Sequence, residues 1–128
     1  MKLRLYGDSI RLRLNPAEVE EFARSGSVHA TTHFTADCSF LYRLKADAAI
    51  EQPSATLTAC ELCITVPRAE VVDWAATDRV AISTDQEWRQ GQALSILIEK
   101  DFECLDAAKH QAGEVLYPHP LALKTTQP

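Results

Sequence analysis

Polar and apolar positions alternate over residues 2–6, with Leu3 and Leu5 on one face and Lys2, Arg4 and Tyr6 on the other. Residues 9–14 alternate again, with Ile10, Leu12 and Leu14 against Arg11 and Arg13. Gly7-Asp8 between the two runs is turn chemistry, so they predict a β-hairpin with one apolar face. Asn15-Pro16 then predicts a helix start. Asn15 suits the N-cap, Pro16 the first helical position, and Glu18 the third position of a capping box. Val19, Phe22 and Ala23 form the apolar stripe of that helix, and Gly26 can end it. Residues 28–34 read as a third strand, with Val28, Ala30, Thr32 and Phe34 opposite His29, Thr31 and His33. Residues 40–45 read as a fourth, with Phe40, Tyr42 and Leu44 opposite Leu41, Arg43 and Lys45. A turn is expected over residues 35–39 and a connector over 47–54.

The same order then returns. Ala17-Glu18-Val19-Glu20-Glu21-Phe22-Ala23 is answered by Ala69-Glu70-Val71-Val72-Asp73-Trp74-Ala75, and Ile10, Leu12 and Leu14 by Leu62, Ile64 and Val66. Two copies of one supersecondary unit are expected, over residues 2–46 and 54–99. In the second copy, strands are expected at 55–59 and 62–66, with a turn near Cys60-Glu61. Pro67 opens a helix that points Val71, Trp74 and Ala75 at the core, and Thr77-Asp78 ends it. A strand at 79–83, a loop at 84–92 and a strand at 94–99 complete the copy. The last strand is apolar on both faces, which suits a central place in a sheet. Residues 101–128 form an irregular C-terminal segment, where Pro118, Pro120 and Pro128 interrupt regular pairing. Val115-Leu116-Tyr117 and Leu121-Ala122-Leu123 are apolar enough to dock on the body or on a second subunit. The pattern predicts a single α+β domain over residues 1–128. It is a duplicated ββαββ unit forming a curved antiparallel sheet or barrel with two short helices, closure of which would remove free edges.

Composition narrows the setting. The apolar share of 46% and charged share of 24% are those of an ordinary globular chain. A net charge of −5 argues against nucleic acid as a partner. No apolar run is long enough to cross a bilayer, so no membrane association is expected. Met1-Lys2-Leu3-Arg4 is not followed by the apolar stretch of a signal peptide, which points to the cytoplasm. In that compartment Cys38, Cys60, Cys63 and Cys104 are expected to be free thiols.

Candidate chemistry sits in four places. Lys2, Arg4, Arg11 and Arg13 project from the polar face of the first hairpin, and Arg43 and Lys45 are placed to join them across a shared sheet. A cationic strand face in an acidic chain binds phosphate, carboxylate or an acidic protein surface. The ligand-binding set is therefore Arg4, Arg11, Arg13, Arg43 and Lys45. Glu99-Lys100-Asp101 is the densest polar cluster. On a continuing strand Glu99 and Asp101 share a face about 7 Å apart, where with Cys104 they are candidates for a metal. Cys60-Glu61-Leu62-Cys63 is a CxxC without a second ligand pair and without a helix N-terminus to lower a thiol pKa. His29 and His33 share a strand face but are separated by about 13 Å, too far for one ion.

Met1-Lys-Leu-Arg-Leu-Tyr-Gly-Asp-Ser-Ile-Arg-Leu-Arg-Leu14 and Leu94-Ser-Ile-Leu-Ile-Glu-Lys-Asp-Phe-Glu-Cys-Leu105, with Val66-Pro67 and Trp74-Ala75 between them, resemble a family of small uncharacterised bacterial proteins, a domain of unknown function. The resemblance covers most of residues 1–105 and implies no activity, cofactor or catalytic residue. Three functions are then open. One is a binding module that presents the basic face to a small anion or acidic partner, as a homodimer through its C-terminal segment. Another is a metal-dependent phosphate-ester or triphosphate hydrolase of tunnel type, with its cations pointing inward beside Glu99 and Asp101. The third is a thiol or metal sensor using the cysteines.

Overall fold

The computed structural model describes residues 1–102. The first half runs β1 (Lys2–Leu5), β2 (Ser9–Leu14), α1 (Pro16–Ser25), β3 (Ser27–Thr35) and β4 (Cys38–Asp47). The second runs β5 (Ser54–Leu57), β6 (Glu61–Pro67), α2 (Arg68–Ala76), β7 (Ala81–Arg89) and β8 (Gln92–Lys100). Both halves are therefore ββαββ, an α+β arrangement with two short helices. Expectations about Cys104, Val115-Leu116-Tyr117 and Leu121-Ala122-Leu123 lie outside the described residues.

Each helix starts and stops for local reasons. In α1 the Asn15 side chain accepts the Glu18 N–H at 2.9 Å, and Glu18 accepts the Asn15 N–H at 3.0 Å. This capping box satisfies two amides that the first turn leaves bare. Gly26 ends the helix at φ 84°, donating to the Phe22 carbonyl; a side chain there would be strained. The second helix has no side-chain N-cap, and its start is set by Pro67, the last residue of β6. Its end is bonded by Thr77, whose hydroxyl donates to the Asp73 carbonyl at 2.7 Å.

The strands form two four-stranded sheets, in the orders β1-β2-β8-β7 and β3-β4-β6-β5. Within each hairpin the pairing is antiparallel, but β2 pairs with β8 and β4 with β6 in parallel. The expectation of one antiparallel sheet or barrel thus gives way to two mixed sheets that do not close. The parallel centre follows from burial. The second strand of each hairpin carries the strongest apolar alternation, so β2, β4, β6 and β8 take the central places. All four run toward the helical end, so neighbours among them point the same way. Strand β7 also runs further than residues 79–83, because its polar positions 84–87 find their ladder in β8. The expected loop shrinks to Gln90-Gly91, with Gly91 at φ 78°.

Both sheets and both helices share one core. The central strands supply Ile10, Leu12, Leu14, Leu44, Leu62, Ile64, Val66, Ile96 and Ile98, and the helices supply Val19, Phe22, Val71 and Trp74. Phe22 and Trp74 are fully buried. The Trp74 indole N–H donates to the Val80 carbonyl at 2.9 Å, so the ring enters the core without an orphaned donor. Across the gap between sheets, the Gln86 amide from β7 grips the backbone of Ala55 in β5. It accepts from the Ala55 N–H at 2.7 Å and donates to the Ala55 carbonyl at 3.0 Å. One side chain does there what a continued ladder would do in a barrel. Tyr42 makes a second bridge, its hydroxyl donating to the Met1 carbonyl at 3.0 Å.

Truncating either core aromatic, Phe22→Ala or Trp74→Ala, is expected to cost about 3–5 kcal/mol, read as a lowered urea midpoint. Gln86→Leu leaves both backbone groups of Ala55 unpaired and is expected to cost about 1–2 kcal/mol. A Gln86→Leu protein as stable as the parent would show that the sheet edges are held by something else.

Candidate functional site

The first hairpin aligns its cations in two rows. Lys2 lies opposite Arg13, and Arg4 opposite Arg11. Because side chains alternate across a strand, burying Leu3, Leu12 and Leu14 sends all four cations to the outer face. The parallel ladder then sets Glu99 of β8 beside Arg13. Arg13 Nε donates to Glu99 Oε1 at 2.6 Å, and Arg11 Nε lies 3.6 Å from the same oxygen. The Glu99 side chain is only 16% exposed and Arg13 45%, so the pair sits at the boundary between sheet and solvent.

Asp101 extends the cluster. Its N–H donates to the Leu14 carbonyl at 2.8 Å, so the chain stays extended beside β2 for one residue past β8. This keeps Glu99 and Asp101 beside the cations of the first hairpin. The Asp101 carboxylate lies 2.8 Å from Lys2 Nζ. The Lys2 hydrogen bond, with lesser attraction from Lys2 and Arg13 charge, holds the Asp101 carboxyl below the ordinary aspartate range. Arg4 adds an aromatic neighbour, its guanidinium 6.0 Å from the centre of the Tyr6 ring. Tyr6 is the one member of the patch that the polar alternation did not single out as functional.

Other candidates are dispersed. Arg43 and Lys45 do not join the first hairpin, because β4 belongs to the second sheet. There Arg43 is 3.7 Å from Glu61 and lies across from His29 and Cys63. Nothing in a strand's own alternation says which hairpins will share a sheet, so this separation was not legible in advance. Cys60 sits in the exposed β5–β6 turn and Cys63 on β6; with Cys38 they are free thiols. Among the described residues no three His, Cys, Asp or Glu side chains gather as a metal cluster. Glu99 and Asp101 are engaged by cations instead. The cations of the first hairpin face away from the core. Among the described residues no helix is long and apolar enough to cross a membrane.

Lys2→Ala should move the Asp101 carboxyl back up toward the ordinary aspartate range in a carbon-detected NMR titration. The stabilising contribution of the pair is complete above that range and fades as pH falls through the lowered folded-state value. An Asp101 titration unaffected by Lys2→Ala would mean that the two groups do not pair in solution.

Residues 1–121 match the model of a family described as Family of unknown function (DUF7009). No curated protein and no solved structure matches the chain.

Proposed function

This chain belongs to that family of unknown function, DUF7009, and we propose that it is a binding module whose outer hairpin face takes a small oxyanion. Arg4, Arg11 and Arg13 are the recognising groups, with Lys2 at the rim. The observation that carries the reading is the grip of Arg13 and Arg11 on Glu99. Two guanidiniums on alternate positions of one strand already converge on a single carboxylate oxygen. Carboxylate and phosphate oxygens share the hydrogen-bonding geometry that the planar guanidinium fork recognises. The internal carboxylate acts as a place-holder that an incoming oxyanion must displace or share.

The sign of each test follows from that competition. Inorganic phosphate, and simple di- and tricarboxylates, are expected to raise the melting temperature at low salt. The effect should shrink as ionic strength rises. Arg13→Ala should weaken the apparent affinity about tenfold, the scale of a hydrogen bond to a charged group. Glu99→Gln should strengthen it, because the place-holder loses its charge. Thermal shift and calorimetry read both. Equal response of the parent and Arg13→Ala would overturn the reading. So would a loss of binding in Glu99→Gln. Binding of an acidic protein alone, with no response to any small oxyanion, would transfer the face to a macromolecular partner.

We also read the two ββαββ halves as copies of one unit. The support is topological: replacing each strand of β1-β2-β8-β7 by its counterpart in the other half reproduces the second sheet in reverse order. Exchanging the core aromatics, as Phe22→Trp with Trp74→Phe, should then preserve the fold and cost less than alanine at either position. A cooperative unfolding transition in urea checks this, and loss of that transition would count against equivalent settings.

A further inference from the structure

Outside the basic face, an apolar groove of about 640 Å³ lies between the helices. Pro16, Val19 and Ala23 form the α1 wall, Val72 and Ala76 the α2 wall, and Phe102 stands at one end. Val72 is 53% and Phe102 63% exposed. Bare apolar walls of this kind mark a surface that something covers.

The course of the chain indicates what covers it. Strand β8 ends at Lys100, and the bond from Asp101 to Leu14 delivers the chain to the start of α1. Phe102, the last described residue, already lines the groove. The family match runs on through residues 103–121. Within them lies one compact apolar triplet, Val115-Leu116-Tyr117. Seven helical steps from Pro16 to Ala23 span about 10 Å, the length of three extended residues at about 3.3 Å each. The intervening residues 103–114 reach at most about 40 Å, ample for a return to the groove. A second cleft, of about 470 Å³ with Leu5, Leu57 and Trp88 at its rim, lies at the opposite ends of the strands.

We propose that the groove between α1 and α2 is the docking surface for this chain's own residues 103–121, with Val115-Leu116-Tyr117 seated against Val72 and Ala76. Tethering makes this an intramolecular event, which favours the chain's own segment over that of a second copy at ordinary concentrations. The covered groove also braces Asp101, and through it Lys2, at the edge of the basic face.

The test uses the full chain and three variants: Leu116→Asp, Val72→Asp and the double variant. Amide hydrogen exchange over α1 and α2 is the readout, with light scattering on the same samples. Each single substitution should speed helix exchange about tenfold, and the double should be no faster than either single, because both remove one contact. Val72 is half-exposed, so its replacement leaves the core intact should Leu116→Asp fold poorly. Multiplying effects in the double variant would overturn the proposal, as would unchanged exchange in Leu116→Asp. Protection that disappears on dilution together with a dimer would also overturn it, assigning the groove to a second copy.

Discussion

The burial of β2, β4, β6 and β8 against α1 and α2 is the constraint from which the other features follow. Each of these strands turns an apolar row to the core, and none can be covered by its hairpin partner alone. Bringing them to the centre of two sheets, with Phe22 and Trp74 beneath the helices, removes all four rows from water at once. Apolar burial is worth roughly 25 cal/mol per Å², far more than any exposed ion pair in this chain contributes. Directional details therefore yield to it. The parallel pairings are accepted because they put the most apolar strands side by side.

The charged face is a by-product of the same alternation. Once Leu12 and Leu14 are committed inward, Arg11 and Arg13 have no choice but to stand outward on the same rows. The parallel ladder then brings Glu99 to them from the far end of the described chain. Surface ion pairs stabilise little, so the main effect of this contact is to hold the guanidiniums in place, at a cost in their rotamer freedom. Asp101 and Lys2 do the same at the rim, tying the exit of β8 to the entrance of β1.

Open sheets leave edges, and this fold handles them with side chains instead of closure. Gln86 presents an amide that imitates a backbone, donating to and accepting from Ala55 across the gap. Tyr42 bridges to the carbonyl of Met1. Such bridges tie the two layers together without a continuous ladder.

Local grammar was legible in the residues themselves. Alternation located the hairpins, Asn15-Pro16-Ala17-Glu18 announced a capped helix, and Gly26 marked its end, because each depends on neighbours within a few positions. The repeated order ββαββ and the burial of Phe22 and Trp74 were legible for the same reason. The place of β7 beyond Ser83 was not, since Thr84, Asp85, Gln86 and Glu87 carry no apolar period and are extended only because β8 supplies their ladder. The candidate site divides along the same line. That Arg11 and Arg13 share a face is a property of one strand. That Glu99 lies between them while Arg43 and Lys45 lie on another sheet depends on which hairpins pair. That choice is made by the shared core, through contacts between residues far apart in the chain, and no local pattern encodes it.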